Sequence, residues 1–221
     1  MPIIHTLNLR MANVYLIENH RGLFLIDTGM PGDDGQILRK IDSISSKNLR
    51  FIFITHVHLD HFGSAAAIQR YTGAPIGIHR ADAVALATGR TDLGRVRGSG
   101  RIIQWILPLF NAVYHPKTQP ADFLYEDGDS LEEFGLNALV VHTPGHTPGS
   151  SSVLLEDRNV FVGDLLSTNG GTHPQRYFAT DWNQIPQSLR RLGAFHPKAI
   201  YPGHGKRSID GTALNQMIAA L

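Results

Sequence analysis

The chain contains no cysteine. Disulfides and thiolate metal sites are therefore excluded, and any metal has to rest on imidazole and carboxylate. It also lacks an excess of charge: 20 Lys and Arg stand against 19 Asp and Glu, a net of +1. A general nucleic-acid binder needs a basic footprint, so no nucleic-acid partner is expected. No run approaches the ~18–20 consecutive apolar residues of a membrane span. Residues 1–20 show no basic start followed by an apolar run and a small-residue cleavage site. No tandem repeat of fixed period is found. The expectation from these absences is a cytoplasmic protein without a membrane partner, acting on a small molecule.

Histidine, by contrast, is abundant: 12 among 221 residues, beside a hydrophobic fraction of 42% that supports a sizeable core. The densest stretch is Thr55-His56-Val57-His58-Leu59-Asp60-His61. It follows the apolar run 51–54, which reads as a buried strand. His56 and His58 are two residues apart and share a face in extended backbone. Asp60 and His61 come where the chain turns and can face a second point nearby. That pattern suits two adjacent metal ions better than one. The plain alternative is a polar loop with solvated histidines, but imidazole and carboxylate are the usual ligands of zinc and similar ions.

Along the chain, 14–17 and 23–26 read as two strands with hairpin chemistry between them. Asp33 is placed to cap a helix carrying Ile37, Leu38, Ile41 and Ile44. A helix is expected around 65–68, a strand at 75–78 and a helix at 81–87. Residues 88–121 break the alternation. Their first part is rich in Gly and Arg, and 102–113 is apolar with Trp105. Further strands are expected at 131–134, 138–141, 152–155, 160–162 and 199–201. Helices are marked by Ile185, Leu189 and Leu192, and by Leu214, Met217 and Ile218. The halves share an outline of strands first and helix last. This favours two sheets packed face to face with helices outside, in one domain over 1–221 that carries the insertion at 88–121.

Three more polar sites follow apolar runs where strands would end: His142-Thr143-Pro144-Gly145-His146-Thr147, Gly163-Asp164, and Pro202-Gly203-His204-Gly205. Each alone reads as an ordinary turn. Together with the first they supply the six or seven ligands that two metals need. Asp27-Thr28-Gly29 also closes a strand. His142 is first a satisfied structural residue and second a support for the site.

These five motifs, in this order, resemble those of the metallo-β-lactamase superfamily over residues ~10–205. The resemblance implies an α+β fold, the four-layer αβ/βα sandwich of two mixed or mostly antiparallel sheets, with a dinuclear site at one edge. It implies that His56, His58 and His146 hold one metal, that Asp60, His61 and His204 hold the other, and that Asp164 bridges them. Asp27 would support the site from behind its ligands. Zinc is the expected metal, with iron and manganese as alternatives. The lack of cysteine departs from the best-known β-lactamase group, and the short run after His204 departs from the glutathione-binding enzymes. His58 departs from the flavodiiron branch, and the nuclease branch carries large extra domains. Small hydrolases such as lactonases and thioesterases remain.

The implied chemistry is cleavage of a small ester, thioester or lactone by a bridging hydroxide, with Asp60 as the catalytic residue that moves the proton. The alternative within the same superfamily is a persulfide dioxygenase with a single iron. The apolar side chains Ile102, Ile103, Trp105, Ile106, Leu107, Leu109 and Phe110 have to be covered by the domain, by a second copy in a homodimer, by a membrane surface or by substrate. In the last case Arg95, Arg97 or Arg101 is placed to meet a polar end.

Overall fold

The structure, a computed structural model, describes residues 1–44, 48–102, 104–105 and 118–221. The strands are β1 (Ile3–Asn8), β2 (Asn13–Asn19), β3 (Gly22–Ile26), β4 (Leu49–Ile54), β5 (Ile76–His79), β6 (Arg95–Val96), β7 (Phe123–Tyr125), β8 (Ala138–His142), β9 (Ser151–Leu155), β10 (Asn159–Phe161), β11 (Leu166–Ser167), β12 (His173–Pro174), β13 (Phe178–Ala179), β14 (Ala199–Tyr201) and β15 (Ile209–Asp210). The helices are α1 (Asp34–Ser43), α2 (Leu59–Phe62), α3 (Ala65–Thr72), α4 (Ala83–Thr88), α5 (Gln184–Gly193) and α6 (Gly211–Ala219).

Two mixed sheets form the centre. One runs β1-β2-β3-β4-β5-β7, antiparallel at first and parallel from β3 onward; the other runs β15-β14-β10-β9-β8. Alternation along each strand explains the layers. Tyr15, Ile17, Phe24, Ile26, Phe51 and Phe53 point inward from the first sheet and meet Val140, Val153, Leu155 and Phe161 of the second. Their sequence neighbours Val14, Leu16, Leu23, Leu25, Ile52 and Ile54 point the other way, onto Ile37 and Ile41 of α1 and Ile68 of α3. Val141, Leu154, Val160 and Ile200 of the second sheet likewise face Ile185, Leu189 and Leu192 of α5 and Leu214 of α6. Both faces of both sheets are therefore covered, which is the αβ/βα sandwich. Among the described residues no helix is long and apolar enough to cross a membrane.

The inter-sheet aromatic cluster holds the halves together near the site. Phe161 lies 5.0 Å from Tyr15 of the opposite sheet and 5.0 Å from Tyr201. The Tyr15 hydroxyl donates to the carbonyl of Pro202 at 2.6 Å, in the turn that carries His204. Phe161→Ala should cost about 3–5 kcal/mol through lost contacts and a cavity. Denaturant unfolding with an unchanged slope would check it, and a loss under 1 kcal/mol would mean that the two sheets are held elsewhere.

Two expectations need correction. Residues 131–134 are not a strand but a 3-10 turn over Glu132–Phe134, which Gly135 ends at φ +97°. The Ser130 hydroxyl accepts from the Glu132 amide and so favours that turn over extended backbone. Asp33 stands at the N-cap position of α1, as expected, but its side chain makes no capping bond. Its oxygens accept from Arg10 Nε at 3.0 Å and from the Met30 amide at 2.9 Å, pinning the 27–33 loop instead. Of the apolar stretch in the insertion, Ile103, Ile106, Leu107, Leu109 and Phe110 lie outside the described residues, and Ile102 and Trp105 are 66% and 87% exposed. Arg97 is engaged, its guanidinium 4.2 Å from the ring centre of Trp182.

Candidate metal centre

Five strand ends converge at one edge of the sandwich. β3 leads into Asp27, and β4 runs into His56 and His58. β8 leads to the turn that carries His146. β10 leads to Asp164, and β14 to His204. The turns are tied to one another by backbone: the Ser151 amide donates to Thr55 O, Gly203 to Gly163 O and Asn13 to Gly203 O. Glycine is required where they touch. A Cβ on Gly203 would stand 2.6 Å from Asp164 Oδ1 and 2.6 Å from His61 Cε1.

All seven expected site residues are brought together, in two groups. One ligand atom from each of His56, His58, His146 and Asp164 lies within 4.8 Å of the others, and the same holds for Asp60, His61 and His204. Asp164 meets both groups. Its Oδ2 is 3.4 Å from His146 Nε2 and 3.2 Å from His204 Nε2, and its Oδ1 is 3.3 Å from His61 Nε2. His204 Nε2 is also 3.3 Å from Asp60 Oδ2. Asp60 and His204 are the partly open members, and the other five are buried.

The back of each ring is held. His61 Nδ1 donates to Asp27 Oδ2 at 2.8 Å, His146 Nδ1 to Phe178 O at 2.8 Å and His204 Nδ1 to Met11 O at 2.8 Å. His58 uses its other nitrogen, donating from Nε2 to Asp92 O at 3.2 Å. His56 Nδ1 lies 3.0 Å from Thr55 Oγ1, which itself donates to Asp27 Oδ2 at 2.9 Å. The partners fix the tautomers, so four rings present Nε2 to the centre and His58 presents Nδ1.

Electrostatics divide the groups. Burial and neighbouring imidazoles hold His56 well below its ordinary value. Burial lowers His58, and burial with His58 beside it pushes His146 down to about 3. For His61 and His204 burial acts in the same direction, but carboxylates outweigh it. Asp27, Asp164 and Asp60 hold His61 well above its ordinary value, and Asp164 and Asp60 raise His204 to about 9. Burial works against the charge on Asp164, yet His204 and His61 hold its carboxyl well below the carboxylate range.

A metal fits this donor set. The buried atoms His61 Nε2 and Asp164 Oδ1 lie 3.3 Å apart without an aligned hydrogen bond to each other or to any other described residue. Such groups are costly unless something coordinates them. Five imidazoles, each turned inward by a bond on its far side, and two carboxylates would coordinate a divalent ion of the zinc or iron kind.

Asp27 sits behind both groups: its Oδ2 accepts directly from His61 Nδ1 and reaches His56 through Thr55 Oγ1. It sits at φ +62°, a left-handed conformation that Asn also tolerates. Asp27→Asn should therefore keep the backbone. Asp27 accepts from three donors, the Thr55 amide, Thr55 Oγ1 and His61 Nδ1, so the substitution should turn an NH₂ against at least one of them. Metal affinity should fall on the order of ten- to a hundredfold with the far-UV spectrum unchanged. Chelator competition measures this, and an unaltered affinity would remove Asp27 from the support of the site.

His142 is not part of the cluster. Its Nε2 donates to Pro148 O at 2.9 Å, and its ring stacks on His79 at 4.0 Å. Sequence reasoning missed Asp82, which is buried beneath the His56 and His146 turns, and Gln175. The Gln175 side-chain oxygen accepts from the amides of Arg176 and Tyr177, and its amide donates to Asp164 O. It also missed the carbonyls of Met11, Asp92 and Phe178, which any residue type could supply.

A paired imidazole–carboxylate centre at the edge of an αβ/βα sandwich defines a class, the metallo-hydrolases. The family model described as metallo-beta-lactamase superfamily matches residues 7–204, and the chain belongs to that superfamily. The chain is similar to the probable metallo-hydrolase YflN of Bacillus subtilis, 29% identical over 91% of this chain and 83% of that one. It is also similar to the hydroxyacylglutathione hydrolase GloC of Haemophilus influenzae, 26% identical over 88% and 85%. Among solved structures, TTHA1623 in a di-iron-bound form superposes with a TM-score of 0.71 at 24% identity, covering 99% of this chain and 100% of that one. The chain is thus a hydrolytic enzyme of the metallo-β-lactamase fold.

Proposed function

We propose that this enzyme is a dinuclear-metal hydrolase that cleaves a small ester, thioester or lactone. His56, His58 and His146 would hold one ion, Asp60, His61 and His204 the second, with Asp164 shared. The observation that carries this reading is the position of Asp164, in contact with both groups at once. When bound, the ions supply a Lewis acid for the substrate carbonyl and lower the pKa of a shared water. Asp60 is the partly open carboxylate at that point, so it is the group placed to take a proton from the water and return it to the leaving oxygen or sulfur. Zinc is the first candidate, and the di-iron form of TTHA1623 makes iron the second. GloC carries a name for hydrolysis of a glutathione derivative, and the chain covers 85% of its length. Glutathione thioesters therefore belong in the substrate panel beside lactones and simple esters.

The test is metal quantification followed by that panel. Close to two ions per chain and turnover of one acyl class support the reading. One tightly held iron per chain, with oxygen uptake on a persulfide, would replace it with the dioxygenase.

A further inference from the structure

One buried carboxylate near the centre has no part in the chemistry above. Asp82 lies in the 3-10 turn Arg80–Asp82 that follows β5. It is 1% exposed. Its Oδ2 accepts from the Val57 amide at 3.2 Å and from Thr147 Oγ1 at 2.7 Å, and its Oδ1 accepts from the Gly149 amide at 2.7 Å. Val57 stands between His56 and His58, and Thr147 follows His146. The three donors thus come from two separate turns that must bring their imidazoles to one point.

The remaining bonds leave no slack. Thr147 Oγ1 donates to Asp82, so the 2.8 Å contact with Ser150 Oγ has Ser150 as donor, and Ser150 Oγ in turn accepts from the Thr147 amide at 2.9 Å. The close approach also sets a residue type: a Cβ on Gly149 would stand 2.6 Å from Asp82 Cγ and 2.7 Å from its backbone nitrogen. An acceptor-only group is required, because all three partners are donors. Asparagine would turn its NH₂ toward at least one of them.

We infer that Asp82 is a positioning residue: it staples the His56–His58 turn to the His146 turn and so sets the metal affinity of the three-histidine group, not that of the Asp60–His61–His204 group. This rests on the reading of the two groups as metal sites. The His61 and His204 rings are held instead by Asp27 and by the Met11 carbonyl, which Asp82 does not touch.

The experiment uses the full chain, equilibrated against buffered free zinc and assayed for bound metal, with amide hydrogen exchange read on the same protein. In Asp82→Asn the half-saturation that His58→Ala abolishes should move to at least tenfold higher free zinc, on the scale of lost support behind a ligand. The other should stay within twofold. Exchange should rise together over residues 56–58 and 142–150 and stay unchanged over 202–205. Thr147→Val deletes a single bond and should give the same pattern at smaller size, with Thr147→Ser restoring it, so the test survives if Asp82→Asn does not fold. Equal movement of both half-saturations, or exchange rising across the whole fold, would reduce Asp82 to a general stabiliser and overturn the inference. So would no movement at all. If the parent bound a single ion, the dinuclear reading would fall, and the exchange pattern would still decide whether Asp82 joins the two turns.

Discussion

Replacing Asp164 by alanine is expected to take metal content from near two ions per chain to one or fewer, and to lower kcat/KM by roughly three orders of magnitude. Two divalent cations a few ångströms apart repel each other strongly in a buried site. A shared carboxylate offsets that repulsion, and Asp164 is the residue whose two oxygens reach His146, His204 and His61. Without it the second ion loses a ligand and a counter-charge together. The loss of rate follows from the several kcal/mol of charge stabilisation that such an ion contributes to the transition state. The fold should survive, because Asp164 leaves β10 at its end and takes no part in the inter-sheet core. Metal analysis, steady-state kinetics and far-UV circular dichroism on one preparation check all three parts. Two ions still bound in Asp164→Ala would exclude it as the bridge.

The residues that converge at the candidate centre were legible in the sequence because coordination chemistry restricts residue type. Only a few side chains bind zinc or iron, this chain has no cysteine, and His-x-His-x-Asp-His after an apolar run has little other use. The main strands were legible because burial on both faces writes continuous runs such as Phe51-Ile52-Phe53-Ile54. β1 was not, since only one of its six residues is buried, and β6 and β13 are too short to carry a period. The support behind the ligands was least visible. The carbonyls of Asp92, Phe178 and Met11 could come from any side chain, and Asp82 gains its three donors only when β5 and the two turns have folded. The 3-10 turn at Glu132–Phe134 shows the limit from the other side: a local hydroxyl–amide bond and a left-handed glycine outweighed an apolar pattern.

The two groups should respond to pH in different ways, and the difference should be large. An imidazole has to be neutral to bind a metal. In the metal-free chain His56, His58 and His146 are already neutral at pH 7, because burial depresses all three. His61 and His204 instead hold protons, against burial, because Asp27, Asp164 and Asp60 surround them. Filling the first group therefore releases no proton, while filling the second releases up to two. Between pH 6.5 and 8 the first affinity should be nearly flat, and the second should rise by about tenfold per pH unit for each proton expelled. The slope should ease toward pH 9, where His204 gives up its proton unaided. The same linkage fixes the behaviour of the metal-free chain. A folded value raised from 6.5 contributes stability that is complete below 6.5 and lost as pH rises through about 9. Across that window the metal-free chain should lose stability as the second group gains affinity. Zinc titration calorimetry in buffers of different ionisation enthalpy counts the protons directly, and thermal unfolding of the stripped chain follows the other half. Equal pH slopes for the two ions would show that the carboxylates around His61 and His204 do not hold protons there.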